Sequence, residues 1–190
     1  MGLFDAITGK RKVKPPAPDR LFAITTAQIT LSSEHSIDAA GCAAIVFQPL
    51  DTGGFEQIAS DMEAVLRSAG EETGSTIETH ADNMGYRWMI VRDDDVDDLA
   101  VGINAVSDQL ALDGYADRLL CAVFAFKDSS GAKLYFIYNY KRGSWYPFVP
   151  GAGAHERATE RELRLKAVLA ADLPIEPELD RWFPLWDIPI

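Results

Sequence analysis

RLLCAVFAF at residues 118–126, followed by KLYFIYNY at 133–140, is the stretch that decides the fold. Leu119, Cys121, Val123 and Ala125 alternate with Leu120, Ala122, Phe124 and Phe126, and both sets are apolar. A strand with one solvated face alternates apolar with polar side chains. One that is apolar on both faces belongs at the centre of a sheet and needs a cover on each side. The residues between the two runs, Asp128-Ser129-Ser130-Gly131, are turn formers, so the pair reads as a hairpin. The aromatic C-terminal segment and a dimer partner are the two candidates for the second cover.

Outward from this hairpin, AQITLSS (27–33) and GCAAIVFQ (41–48) read as a first pair of strands. Phe55, Ile58, Ala59, Met62, Val65, Leu66 and Ala69 recur at steps of three and four, an amphipathic helix stopped by Gly70. Residues 76–80 and 86–92 read as a second strand pair turning at 82–85. Val96, Leu99, Ala100, Ile103, Val106 and Leu110 then line one face of a second helix, with Gly114 as its stop. A third helix is expected over 155–171, before Pro174, and residues 174–190 read as an irregular tail rich in proline and aromatics. The expected fold is a single α+β domain with a largely antiparallel sheet and the order ββα three times over. Its helices lie mainly on one face and the tail packs back. Residues 1–20 read as a basic amphipathic head with a proline-rich spacer, and 21–190 as the domain.

The 190 residues carry 18 basic and 29 acidic side chains, a net charge of -11. That balance argues against a nucleic-acid binder, which needs a basic surface to displace phosphate counterions. The charge is unevenly placed. Residues 51–113 hold fifteen acidic side chains and only Arg67, Arg87 and Arg92 as bases, whereas residues 1–20 are net positive. The two cysteines, Cys42 and Cys121, lie in apolar runs and read as buried thiols, with a disulfide left open. The longest apolar run, 119–126, is far short of the roughly 20 residues of a membrane-spanning helix. The expected location is the cytoplasm, with peripheral contact at the inner face of the membrane as a variant.

Catalytic and metal signatures are weak. Asp93, Asp94, Asp95, Asp97 and Asp98 lack the glycine and terminal glutamate of a calcium loop and stand where a helix starts, so capping is the simpler role. His155-Glu156 has Thr159 where a zinc helix needs its second histidine. His80 and Asp82 would share a strand face but lie in a turn region. No catalytic residue, metal site or cofactor is expected.

Two segments carry interaction chemistry instead. In the head, Leu3, Phe4 and Ile7 fall on one face of a short helix, and Lys10, Arg11, Lys12 and Lys14 follow. Apolar anchors beside a basic cluster suit an anionic membrane surface or an acidic partner. In KRGSWYPFVP (141–150) and the tail, Arg142, Trp145, Tyr146, Phe148, Arg181, Trp182 and Trp186 combine arginine with large rings, the composition of interface hot spots. The bland alternative is that these rings pack on one another and seal the sheet.

MGLFDAITGK, CAAIVFQP, KRGSWYPFVP and the tail LPIEPELDRWFPLW together resemble the PspA-associated protein family called PspAB, and the resemblance extends over nearly the whole chain. It implies a cytoplasmic bacterial or archaeal protein linked to phage-shock-type envelope stress, encoded near PspA homologues or an HtpX-type membrane protease. The family offers no established catalytic residues to carry over. The expected role is a non-enzymatic adaptor acting through protein–protein contacts. The alternative is a small-ligand protein or enzyme with its pocket between the sheet and the tail.

Overall fold

The structure, a computed structural model, describes residues 18–50 and 52–190. Its helices are α1 (Pro18–Leu21), α2 (Ala23–His35), α3 (Gly53–Thr73), α4 (Val96–Leu112) and α5 (Thr159–Val168). Its strands are β1 (Ile37–Phe47), β2 (Thr76–Ala81), β3 (Arg87–Arg92), β4 (Leu119–Asp128), β5 (Lys133–Asn139) and β6 (Ser144–Phe148). They form one sheet in the order β2-β3-β1-β4-β5-β6. Every neighbouring pair is antiparallel. β4 lies inside the sheet, as its two apolar faces require.

The helices cover one face. Ile24, Ala27 and Leu31 of α2, Phe55 and Met62 of α3, Leu99, Ile103 and Val106 of α4 and Leu165 of α5 pack on Ala43, Ile45, Phe47, Phe124, Phe126, Phe136 and Trp145. The opposite face presents Ala44, Val46, Ile90, Cys121, Val123, Ala125, Ile137, Tyr146 and Phe148, and Trp182 and Ile190 of the tail close over it. Leu185, Trp186 and Ile188 pack against the same cluster. The second cover is therefore the chain's own C-terminal segment.

The α+β class and the single antiparallel sheet are as expected, but the element order departs from ββα repeated. Residues 27–33 are helix, not strand. Ile24, Ala27 and Leu31 are fully buried while Ile29 is 63% exposed. The β-branched Ile24, Thr25, Thr26, Ile29 and Thr30 favour a strand locally, and packing of a helical stripe on the sheet overrides them. The stripe starts at Leu21, ahead of the segment that reads as a strand, and α1 takes in Pro18, Asp19 and Arg20, which by sequence read as part of the head and spacer. Proline is tolerated in a first helical turn, and Leu21 is buried at its end.

The aromatic loop after Gly143 is also regular: it is β6, an edge strand with Pro147 opposite Phe136. Proline is acceptable there because an edge strand need not donate on both sides. The last helix starts at Thr159 instead of 155, since Pro150 and Arg157 form an isolated bridge that holds 151–158 as a loop. A register shift places Phe47 opposite Leu119 and Val46 opposite Cys121. The extra residue, Leu120, is a bulge that turns Leu119 to the helix face, away from the set that starts at Cys121.

Helix and strand readings of 23–35 make opposite predictions for neighbouring positions. Leu31→Ala should cost about 2–5 kcal/mol in urea denaturation, whereas Ile29→Lys should change stability by less than about 0.5 kcal/mol. Comparable losses at both sites would contradict the helix.

Candidate functional site

The rings singled out in 141–150 and the tail come together, and most of them face inward. Trp145 and Phe148 are fully buried and Tyr146 and Trp182 nearly so. Trp145 enters the helix-side core, tilted against Phe124 and Tyr138, and its indole N–H donates to the Arg20 carbonyl at 2.7 Å. Tyr146 and Phe148 point to the other face. Tyr146 stacks on Trp182 at 6.2 Å between centroids, and Trp186 meets Phe148 edge-on at 5.2 Å. The Tyr146 hydroxyl donates to the Phe183 carbonyl, the Trp182 indole N–H to the Glu176 carbonyl, and Lys166 lies over the Trp182 ring. Burial pushes the Tyr146 phenol well above its ordinary pKa, so it stays protonated as a donor. These contacts fill the space between sheet and tail with side chains, where the ligand-binding alternative placed its pocket.

The tail also covers the edge of β6. The Trp145 N–H donates to the Pro174 carbonyl at 2.9 Å, and the Glu176 N–H donates to the Trp145 carbonyl at 2.7 Å. This short parallel bridge at Ile175 satisfies outward-facing backbone groups that an open edge would offer to other chains. Gly143, at φ 64°, makes the preceding turn, and its carbonyl accepts from the Arg20 guanidinium.

Two buried glutamates fix the tail and α5 to the sheet, and sequence reasoning named neither. Glu176 is 3% exposed and accepts from Arg142 at 2.6 Å, from the Ser144 hydroxyl at 3.0 Å and from the Glu178 N–H. Arg181 approaches its other oxygen at 3.8 Å. Burial works to raise the Glu176 pKa, but these hydrogen bonds outweigh it and hold the carboxyl below its ordinary value. Glu162 of α5 accepts from the Val149 N–H at 2.9 Å and from two nitrogens of Arg157. The third Arg157 nitrogen donates to the Trp182 carbonyl at 2.6 Å, and the guanidinium lies over the Phe148 ring. Arg157 thus joins α5, β6 and the tail. The signal available in sequence was charge inside apolar surroundings, as in LPIEPEL, where a glutamate is stable only if paired.

The remaining candidates have structural roles. Asp95 caps α4 by accepting from the Asp97 N–H, and Asp93 accepts from the Asp95 N–H. Asp82 organises the β2–β3 turn, accepting from the Met84 and Tyr86 N–H groups and the Trp88 indole. Asp128 does the same in the β4–β5 turn; the Ser130 hydroxyl, turn N–H groups and Arg161 hold its pKa down to about 2. His155 packs on Trp186. Cys42 and Cys121 are free, and burial pushes the Cys121 thiol up to about 12. Cys121 pairs with Val46, so the two sulfurs' backbones are about four strand residues, roughly 13 Å, apart, too far for a disulfide. Among the described residues, no group of histidine, cysteine, aspartate and glutamate is placed to hold a metal ion.

What the site leaves exposed is small and specific. Phe183 is 58% and Leu179 46% exposed on the tail, beside the partly exposed Arg181 and Arg142. Trp186 is partly buried. Phe183 and Leu179 were not among the residues singled out in sequence. Leu3, Phe4, Ile7, Lys10, Arg11, Lys12 and Lys14 lie outside the described residues.

The family model described as PspAB, PspA associated protein B, matches residues 1–190. No curated protein and no solved structure matches the chain.

Breaking one partner of a buried ion pair leaves the other charge stranded. Arg157→Met should therefore cost about 3 kcal/mol, the low end of the usual range because Arg157 is partly exposed, and adding Glu162→Gln should recover part of it in a double-mutant cycle. Glu176 has the depressed pKa of a stabilising carboxylate. Its contribution is present above the ordinary glutamate pKa of about 4.3 and is lost as pH falls through the lower folded value. Glu176→Gln should accordingly remove part of the acid sensitivity of unfolding, and an unchanged pH profile would contradict this role.

Proposed function

The chain belongs to the PspA associated protein B family, and from that premise we propose that it is a non-enzymatic accessory protein of a phage-shock-type envelope stress response. It acts by contact with a PspA-like protein. The family match over residues 1–190 carries this reading. The way the charged groups are used supports it: Glu162, Glu176, Asp82 and Asp128 spend their oxygens on arginine, indole and backbone donors that hold the fold. The buried thiol of Cys121 is poorly suited to nucleophilic chemistry.

The contact surface in this reading is the exposed remainder of the tail. Arg142, Arg181 and Trp186 flank it, with Phe183 and Leu179 as apolar anchors, while Trp145, Tyr146, Phe148 and Trp182 brace it from below. An exposed aromatic beside arginine, set on a rigid base, is the usual make-up of a binding hot spot. The head, with Leu3, Phe4, Ile7 and its basic residues, supplies a second contact, to an anionic lipid surface or an acidic partner. An HtpX-type membrane protease is the other candidate partner. No helix among the described residues is long and apolar enough to cross a membrane. The proposed location is the cytoplasm, at the inner membrane face when the head is engaged.

Calorimetric titration against the purified PspA homologue of the same cell tests the partner. Phe183→Asp, at an exposed site, should weaken binding by about tenfold or more while leaving the thermal midpoint nearly unchanged. Absence of binding by the unaltered chain would refute the PspA contact.

A further inference from the structure

A second apolar surface lies on the opposite side of the molecule, between α3 and α4. A groove of about 400 Å³ there has Ile58, Met62 and Val65 of α3 and Ala105 of α4 in its walls, with Asp61 and Asp113 on its rim. Val65 is 68% exposed, and further along α4 Val101 and Leu112 are 55% and 81% exposed. Such a run of exposed aliphatic side chains is unusual on the surface of a helix pair.

The groove has an electrostatic sign. The three arginines of residues 51–113 are already engaged, Arg67 with Glu63, Arg87 with Glu56 and Arg92 with Glu78. Asp61 and Asp113 accept only from the amides of Gln57 and Gln109, and neither has a cationic partner among the described residues. An occupant therefore needs apolar side chains on one face and positive charge beside them.

The chain encodes such a segment. Leu3, Phe4 and Ile7 supply a three-residue apolar face and Lys10, Arg11, Lys12 and Lys14 the charge. We propose that the basic amphipathic head, residues 1–14, seats in the α3–α4 groove of its own chain, with Leu3, Phe4 and Ile7 against Ile58, Met62 and Val65 and its bases toward Asp61 and Asp113. The span is sufficient. α1 packs against α4, which in turn borders α3. The eight residue steps from Lys10 to Pro18 reach roughly 25 Å in extended form, about two helix diameters. Tethering holds the head at an effective concentration in the millimolar range, so even weak apolar and ionic contacts keep it seated. The seat also hides the head's apolar face and screens its bases from other acidic surfaces. It follows from the match between groove and head and does not require any particular partner.

Photo-crosslinking of the full chain tests this. Phe4→p-benzoylphenylalanine is introduced, and an equal mixture of 14N- and 15N-labelled chains is irradiated at low micromolar concentration without lipid. The expected products are crosslinks within one chain into residues 58–66 and 101–113. They should fall about fivefold in the Asp61→Lys/Asp113→Lys double variant, the loss expected for two weak surface ion pairs, and fall likewise at about 0.5 M salt. Both carboxylates are on the surface, and circular dichroism verifies that the variant is folded. Mixed-label pairs making up about half of the crosslinked products, the proportion expected for random pairing of two copies, would instead assign the groove to a second copy's head and overturn the proposal. Crosslinks elsewhere on the body, none without anionic vesicles, or a yield indifferent to the two carboxylates would each overturn the proposal.

Discussion

A central strand with two apolar faces imposes the architecture. β4 carries Phe124 and Phe126 on one side and Cys121, Val123 and Ala125 on the other, and all five are buried. At roughly 25 cal/mol per Å², leaving either face in water would forfeit several side chains' worth of burial. The helices cover the first face in the ordinary α+β manner. Among the described residues no α-helix covers the second, and the chain returns over it with a largely irregular segment whose large rings cover area that a regular element would otherwise supply. Trp182 and Trp186 sit in the tail because a short, non-repetitive segment needs large side chains to shield a sheet.

An irregular cover has few backbone hydrogen bonds of its own, so it must be fastened. The two buried glutamates do this with complementary geometry. Glu176 lies in the tail and draws in Arg142 from the β5–β6 turn and Ser144 from the start of β6. Glu162 lies in α5 and draws in Arg157, which reaches the tail at Trp182. Both carboxylates have their oxygens occupied, and so their burial is tolerated. The bridge at Trp145 adds backbone bonds along the exposed edge of β6. The result is a tail tied at its start, middle and end, where the Ile190 carbonyl accepts from Tyr135 and Lys133.

The fold was legible in sequence wherever one period dominated. The β4–β5 hairpin, α3 and α4 follow directly from alternation or from steps of three and four, and the two-faced β4 foretold a second cover. It failed where two patterns overlapped. Ala27, Ile29 and Leu31 alternate like a strand, and only the stripe continuing from Leu21 through Ile24 reveals the helix. β6 was hidden because prolines at 147 and 150 read as loop punctuation, and its pairing with β5 is a tertiary fact. The aromatic segments were found, but whether each ring faces in or out was not legible. That choice depends on Glu162, Glu176 and Arg157, whose partners lie far away in sequence.

The same cover explains how a partner surface can arise without a pocket. Once the tail is fastened, Phe183 and Leu179 cannot turn inward, since the space beneath is filled by Trp182 and Tyr146. The tail is therefore an integral layer of the domain. Native-state amide hydrogen exchange at Glu176 and Trp145, whose N–H groups make the tail-to-β6 bridge, tests this most directly. Both should exchange only with global unfolding, in step with the amides of β4. Rapid exchange at these two positions while β4 stays protected would mean that the tail detaches from a sheet that stands without it, and would contradict the account.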